Sequence, residues 1–259
     1  MLPPVNVRRY LLPVSTTLRV NEVYLSLQGE STFAGLPCIF IRLTGCDLRC
    51  SYCDTAYAFT EGSHQPLTSV IDSVNLLAAP YRLAASPAST RLPLVELTGG
   101  EPLLQAEALT LMTALCDQGF TVLIETSGAH DISRIDPRVR RIVDLKCPSS
   151  GEVRRNRWEN LPHLRPTDEV KFVIGTREDY AWTREVITTH QLAGRCALLV
   201  SWVHPLSPYQ LLPVLKAIPD GQTPISRQEL AEILIADALP VRFQAQLHKI
   251  IWPPDQRGV

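Results

Sequence analysis

The chain has 259 residues, 45% of them hydrophobic and 20% charged, with a formal net charge of −1. It can bury a sizeable core, and so balanced a charge gives no electrostatic basis for binding nucleic acid or an anionic membrane. No run of about 18 apolar residues could span a bilayer, and the opening MLPPVNVRRYLLPVSTTLRV has no apolar targeting region or small-residue cleavage site, so a cytoplasmic protein is expected.

In chain order, VYLSL at 23–27 and CIFIRL at 38–43 predict strands, and YRLAASPASTRLP at 81–93 reads as a linker. LVELT at 94–98 predicts the next strand. PLLQAEALTLMTALCDQG then predicts a helix that starts after a proline and stops at Gly119. Strands follow at 121–126 (TVLIET), 141–146 (RIVDLK) and 170–174 (VKFVI), then a helix in REDYAWTREVITTHQLAG ending at Gly194. After a strand at 197–202 (ALLVSW), SPYQLLPVLKAI has a weaker helical pattern that Pro213 interrupts. SRQELAEILIADAL carries a capping-box pair, Ser226 and Glu229, and RFQAQL at 242–247 is the last predicted strand.

Near-continuous apolar strands alternating with helices argue for an α/β fold with a parallel sheet. The sheet is either open and doubly wound or a full or partial barrel, in one domain over residues 1–259. QGE at 28–30, TGGEP at 98–102, ETSG at 125–128 and DLKCPSSG at 144–151 fall where strands end. Ligand sites of parallel α/β folds collect at the C-terminal ends of strands, so these stretches are expected to converge.

GCDLRCSYCDT at 45–55 brings Cys46, Cys50 and Cys53 into one loop. Seven cysteines without a signal peptide argue against a disulfide framework and for metal or redox use of the clustered ones. Cys38, Cys116 and Cys196 have apolar flanks and read as small buried hydrophobes. Thiolates suit zinc, copper(I) or iron–sulfur clusters. Structural zinc loops add a second Cys or His pair, whereas the six histidines here are scattered singly.

The C-x3-C-x2-C spacing, with Tyr52 before the last cysteine, resembles the cluster loop of radical S-adenosylmethionine enzymes. There the three cysteines bind a 4Fe–4S cluster whose fourth iron stays open to S-adenosylmethionine. LTGGEPLL at 97–104 is similar to the GGEP motif that lies against the cofactor's methionine end, with Glu101 offering a carboxylate to its ammonium group. SLQGE, CDT, IETSG, DLKCPSSGE, DEVKFVIG and LHKIIWPPDQRGV narrow the resemblance, from about residue 20 onward, to the 7-carboxy-7-deazaguanine synthase family.

The resemblance implies a partial, open parallel β/α barrel of six strands. It implies conversion of 6-carboxy-5,6,7,8-tetrahydropterin to 7-carboxy-7-deazaguanine and ammonia, a lyase step toward queuosine and other 7-deazapurines. A one-electron donor such as flavodoxin or ferredoxin would reduce the cluster, and S-adenosylmethionine would be regenerated after each ring contraction. Mg2+ and a homodimer are implied in the same way.

Position by position, the resemblance assigns Cys46, Cys50 and Cys53 to the cluster and Thr55 to Mg2+. Tyr52, Cys53, Asp54, Gly100 and Ser127 would contact S-adenosylmethionine, as would Asp144, Leu145 and Lys146, which stand where many members have Ser-Pro-Lys. Leu27, Gln28, Gly29, Arg42 and Thr98 would contact the pterin; a glutamine amide has donors and an acceptor for it, and a guanidinium suits a carboxylate. Ser31 departs from the more frequent QGEG. Cys147 is not expected to ligate the cluster, because a fourth thiolate would close the open iron. Two other readings remain: a glycyl-radical activating enzyme, which would share the cluster but act on a protein, and a non-catalytic zinc module.

Overall fold

The computed structural model describes residues 16–83 and 91–259. Nine strands form one sheet: β1 (Thr17–Leu27), β2 (Pro37–Leu43), β3 (Ser63–Pro66), β4 (Leu94–Gly99), β5 (Val122–Thr126), β6 (Arg140–Leu145), β7 (Glu169–Ile174), β8 (Ala197–Trp202) and β9 (Arg242–Gln244). Their order is β3-β1-β2-β4-β5-β6-β7-β8-β9. β1 pairs antiparallel with β2 and β3, and every pairing from β2 to β9 is parallel. The edge strands β3 and β9 do not pair with each other, so the sheet is an open partial barrel.

Successive strand residues face opposite sides, and here both sides are apolar. Val95, Leu97, Ile124, Val143 and Phe172 point outward into the main core, joined by Val70 and Val74 of α1 (Leu67–Ala78) and Leu111, Met112 and Leu115 of α2 (Glu107–Asp117). Cys38, Phe40, Leu94, Leu123 and Ile142 form a second apolar cluster on the concave side. Phe172 is fully buried; truncating it to alanine costs about 3–5 kcal/mol.

Three helices follow: α3 (Arg177–Thr189), α4 (Arg227–Ala236) and α5 (His248–Ile251). α3 starts with a full capping box, Thr176 with Asp179. At α4 the Ser226 hydroxyl accepts from the Glu229 amide at 3.1 Å. The helical pattern at 207–218 forms no helix; Pro213, in its interior, denies it a backbone donor. α1 and β3 lie where the sequence reading placed nothing. Of the 81–93 linker, residues 84–90 lie outside the described residues.

The loop after β1 crosses the concave side. The Gln28 amide donates to Leu36 O at 2.8 Å, and the loop reaches the far strands through Thr32 N–H to Glu169 (3.1 Å) and Ser31 N–H to Gln244 Oε1 (2.8 Å). The chain beyond β9 joins the same place, with Leu247 N–H donating to Gly29 O at 2.9 Å.

Candidate active site

The concave face holds a cavity of about 240 Å3 at the C-terminal ends of the parallel strands. Of the residues assigned above, position by position, to the cluster, Mg2+, S-adenosylmethionine or the pterin, all but Leu145 line it. Leu145 belongs to the outward face of β6 and its side chain is fully buried in the main core, so its side chain has no place at a ligand.

The cysteine loop is fastened on several sides by backbone. Gly45 N–H donates to Ala58 O (2.8 Å), Glu101 N–H to Gly45 O (2.8 Å) and Ser51 N–H to Ser150 O (3.0 Å). Arg49 N–H donates to Glu152 Oε1 at 2.6 Å. The GGEP turn passes so close that a Cβ on Gly100 would sit 2.0 Å from Gly45 O and 3.0 Å from Cys46 Cβ. Only glycine permits that approach.

Burial pushes the Cys46 thiol up to about 11 and the Cys53 thiol up to about 12, and raises Cys50 as well. Thiols so placed ionise against a bound soft cation rather than free in solution. Among the described residues no fourth thiol lines the cavity. Cys147 is buried in the main core, its sulfur 3.9 Å from Leu145 O and 3.8 Å from the Thr183 hydroxyl. Three thiols without a fourth fit a cluster that keeps one iron for a ligand.

Glu101 corrects the expectation for the GGEP motif. Its carboxylate is fully buried and accepts from Leu103 N–H (2.9 Å), the Thr126 hydroxyl (2.9 Å), Ser127 N–H (2.7 Å) and the Ser127 hydroxyl (2.5 Å). It ties the GGEP turn to the end of β5 and does not line the cavity. An isolated buried carboxylate would be costly; this one is saturated with donors.

Two side chains that line the cavity carry buried oxygens without partners, Tyr52 Oη and Asp144 Oδ1. Unsatisfied buried polar atoms at a cavity wall are where a bound ligand's polar groups belong. Lys146 Nζ lies 2.8 Å from Asp144 Oδ2; burial opposes its charge, but Asp144 holds it protonated. Burial likewise opposes ionisation of Asp54, yet Lys249 at 2.5 Å brings its carboxyl down to about 2. Thr55 precedes a short 3-10 turn (Ala56–Phe59), but its hydroxyl makes no capping bond; it lies 3.9 Å from Cys53 Sγ.

On the substrate side, Arg42 donates to Glu22 (2.7 Å) and to Tyr24 Oη (2.9 Å), which fixes the guanidinium plane. Gly29 has no room for a side chain, since a Cβ would lie 2.5 Å from His248 Nδ1. Ser31 has φ 63°, a left-handed conformation that glycine adopts freely. Here Phe33 N–H to the Ser31 hydroxyl (3.0 Å) and the bond to Gln244 hold it.

The sequence reading missed a charged network beneath these groups. Lys171 of β7 is buried and pairs with Glu125, with Glu30 at 3.0 Å and with Asp144 at 3.8 Å. Burial raises the Glu30 carboxyl, but Lys171 and His248 outweigh it and bring it to about 2. Glu96 of β4 lines the cavity beside them. The available signal was a lone charge inside an otherwise apolar strand, E in LVELT and K in VKFVI.

No protein-family profile matches this chain. A 7-carboxy-7-deazaguanine synthase of Chlorobaculum tepidum is 41% identical over 93% of this chain and 97% of its own length. That of Koribacter versatilis is 40% identical over 93% and 100%. Among solved structures, QueE from Escherichia coli has a TM-score of 0.58 at 23% identity, covering 88% of this chain and 94% of its own. SuiB of Streptococcus suis has a TM-score of 0.50 at 12% identity, covering 77% of this chain and 46% of its own. Both share the fold.

An open parallel barrel whose first parallel strand leads into three clustered cysteines defines a radical S-adenosylmethionine enzyme. Identity of this extent across nearly the whole chain settles which kind. The chain belongs to the 7-carboxy-7-deazaguanine synthase family.

Proposed function

We propose that residues 1–259 act as one catalytic domain that converts 6-carboxy-5,6,7,8-tetrahydropterin to 7-carboxy-7-deazaguanine and ammonia, in the cytoplasm, on the route to queuosine. The observation that carries this reading is the single cavity shared by the three cysteines, the GGEP turn and the LQG segment, in a chain of this family.

Cys46, Cys50 and Cys53 would hold the 4Fe–4S cluster. Bound there with S-adenosylmethionine, it supplies the hydrogen-abstracting chemistry that opens the ring contraction. Tyr52 and Asp144 would offer their unpartnered oxygens to the cofactor's polar groups, with Asp54, Gly100, Ser127 and Lys146 around them. Arg42, already oriented by Glu22 and Tyr24, would bind the substrate carboxylate. Gly29 and Thr98 line the substrate side.

Thr55 would give Mg2+ one hard oxygen, the remainder coming from substrate and water; its freedom from capping supports this role. Lys249 and Lys171 keep Asp54 and Glu30 ionised beside the reacting ring. A flavodoxin- or ferredoxin-class donor and a second copy of the chain complete the assembly expected of the family, with no nucleic-acid or membrane partner.

The test is anaerobic reconstitution with iron and sulfide, reduction, and addition of S-adenosylmethionine and the carboxypterin with and without Mg2+. Formation of carboxydeazaguanine, faster with Mg2+, is expected. Cofactor cleavage without that product would overturn the substrate, and product formation indifferent to Mg2+ would overturn the role of Thr55.

A further inference from the structure

The LQG segment suggests that Gln28 reads the pterin directly. The structure gives its side chain other work. Gln28 is 3% exposed. Its Oε1 accepts the Glu30 N–H at 2.6 Å, which fixes the amide so that Nε2 donates to Glu96 Oε2. A glutamine engaged at both ends is a support. What it supports is a carboxyl that lines the cavity.

Glu96 differs from the other acids that line the cavity. Glu30, Glu125 and Asp144 have Lys171 or Lys146 as counter-charge. Among the described residues Glu96 makes no ion pair, and Gln28 is its one side-chain hydrogen-bond donor. It projects from the concave face of β4 between Leu94 and Thr98, in register with Phe40. Phe40 in turn stacks on Tyr24 at 5.2 Å, and Tyr24, Phe40 and Ile142 all line the cavity. A carboxyl beside a stacked aromatic pair suits a planar heterocycle that presents N–H donors along one edge.

We propose that Glu96 reads the adjacent 2-amino and N3–H donors of the pterin, positioned for it by Gln28. The inference rests on the pterin reading above. Both donors point the same way and are spaced as a carboxylate's two oxygens are, the pairing used between carboxylates and guanidinium forks. Burial, and next Glu125, push the Glu96 carboxyl well above the ordinary carboxylate range, so the empty site favours its neutral form, and two N–H donors arriving together favour the ionised one.

The experiment is anaerobic calorimetric titration of the holoprotein, with S-adenosylmethionine bound, by two ligands. One is 6-carboxytetrahydropterin; the other is its counterpart with oxygen in place of the 2-amino group. The wild type is expected to prefer the pterin by roughly 10- to 100-fold, the usual penalty for a mismatched buried hydrogen bond to a charged group. Glu96→Gln offers one acceptor to N3–H and one donor to the 2-oxo group, so the preference inverts. Glu96→Met offers neither, so the two ligands bind within about threefold of each other. Thermal melts and S-adenosylmethionine binding confirm that each variant is folded. A Glu96→Gln protein that keeps the wild-type preference, or that weakens both ligands equally, overturns the inference. Wild type that binds S-adenosylmethionine but neither ligand overturns the pterin reading itself, and this inference with it.

Discussion

Replacing Lys171 with methionine tests the charged network beneath the site. The lysine side chain is 6% exposed, its Nζ 3.0 Å from Glu30 and 3.8 Å from Asp144, with Glu125 in direct contact. Methionine fills the space but leaves these carboxylates without their shared cation. Removing one partner of a buried ion pair costs about 3–5 kcal/mol, because the remaining charge is stranded. With an m-value of about 2–3 kcal/mol/M, the urea midpoint falls by about 1–2 M at neutral pH. The pH dependence gives the mechanism. In the wild type the Glu30 carboxyl is lowered from 4.5 to about 2, so its stabilisation is present above 4.5 and lost as pH falls through about 2. The variant lacks that stabilisation, and its buried carboxylates protonate more readily as pH falls. The gap between wild type and variant is therefore widest near neutrality and closes as pH falls from about 4.5 toward 2. Urea melts at several pH values measure it. A gap of under about 1 kcal/mol, or one independent of pH, would refute the account of Lys171 as the common counter-ion.

Cys50→Ala should leave a folded protein that, after reconstitution, holds less than a full cluster and cannot cleave S-adenosylmethionine; retained cleavage would remove Cys50 from the ligand set. Thr55→Ala should weaken the response of turnover to Mg2+ while the cluster's absorbance stays intact, and an unchanged response would release Thr55 from that role. Gly100→Ala forces a methyl group to within 2.0 Å of Gly45 O. It should cost about 1–3 kcal/mol by overpacking and reduce iron content, since the loop pushed aside carries Cys46; wild-type stability with full iron would contradict the close approach.

The strands were legible because they are apolar on both faces, and the cysteine loop because its chemistry lies in covalent spacing. α1 was not, since its Thr, Ser and Val residues are weak helix formers and its register on the core sets it. The 207–218 segment misled in the opposite sense, an apolar pattern cut by Pro213. Within the site, adjacency along the chain is not adjacency in space: Leu145 lies between Asp144 and Lys146 but faces the other side of β6. Glu101 shows a further limit. Its motif was recognisable, yet that its carboxylate would be spent on Thr126 and Ser127 depended on how β4 and β5 end side by side. Glu96 and Lys171 sat in runs too apolar to draw attention.

Because β3 and β9 never meet, the curl of the sheet is not locked by a ladder. It is held like a clasp, with the parallel strands as its spring and the 28–36 loop as its catch on Glu169, Lys171 and Gln244. Catch bonds of this kind contribute about 0.5–3 kcal/mol each, far less than the sheet as a whole. The mouth can therefore widen by releasing a few side chains while every strand pairing stays intact. Admission of a rigid bicyclic substrate and tight closure around it then become settings of one loop rather than properties of the whole fold.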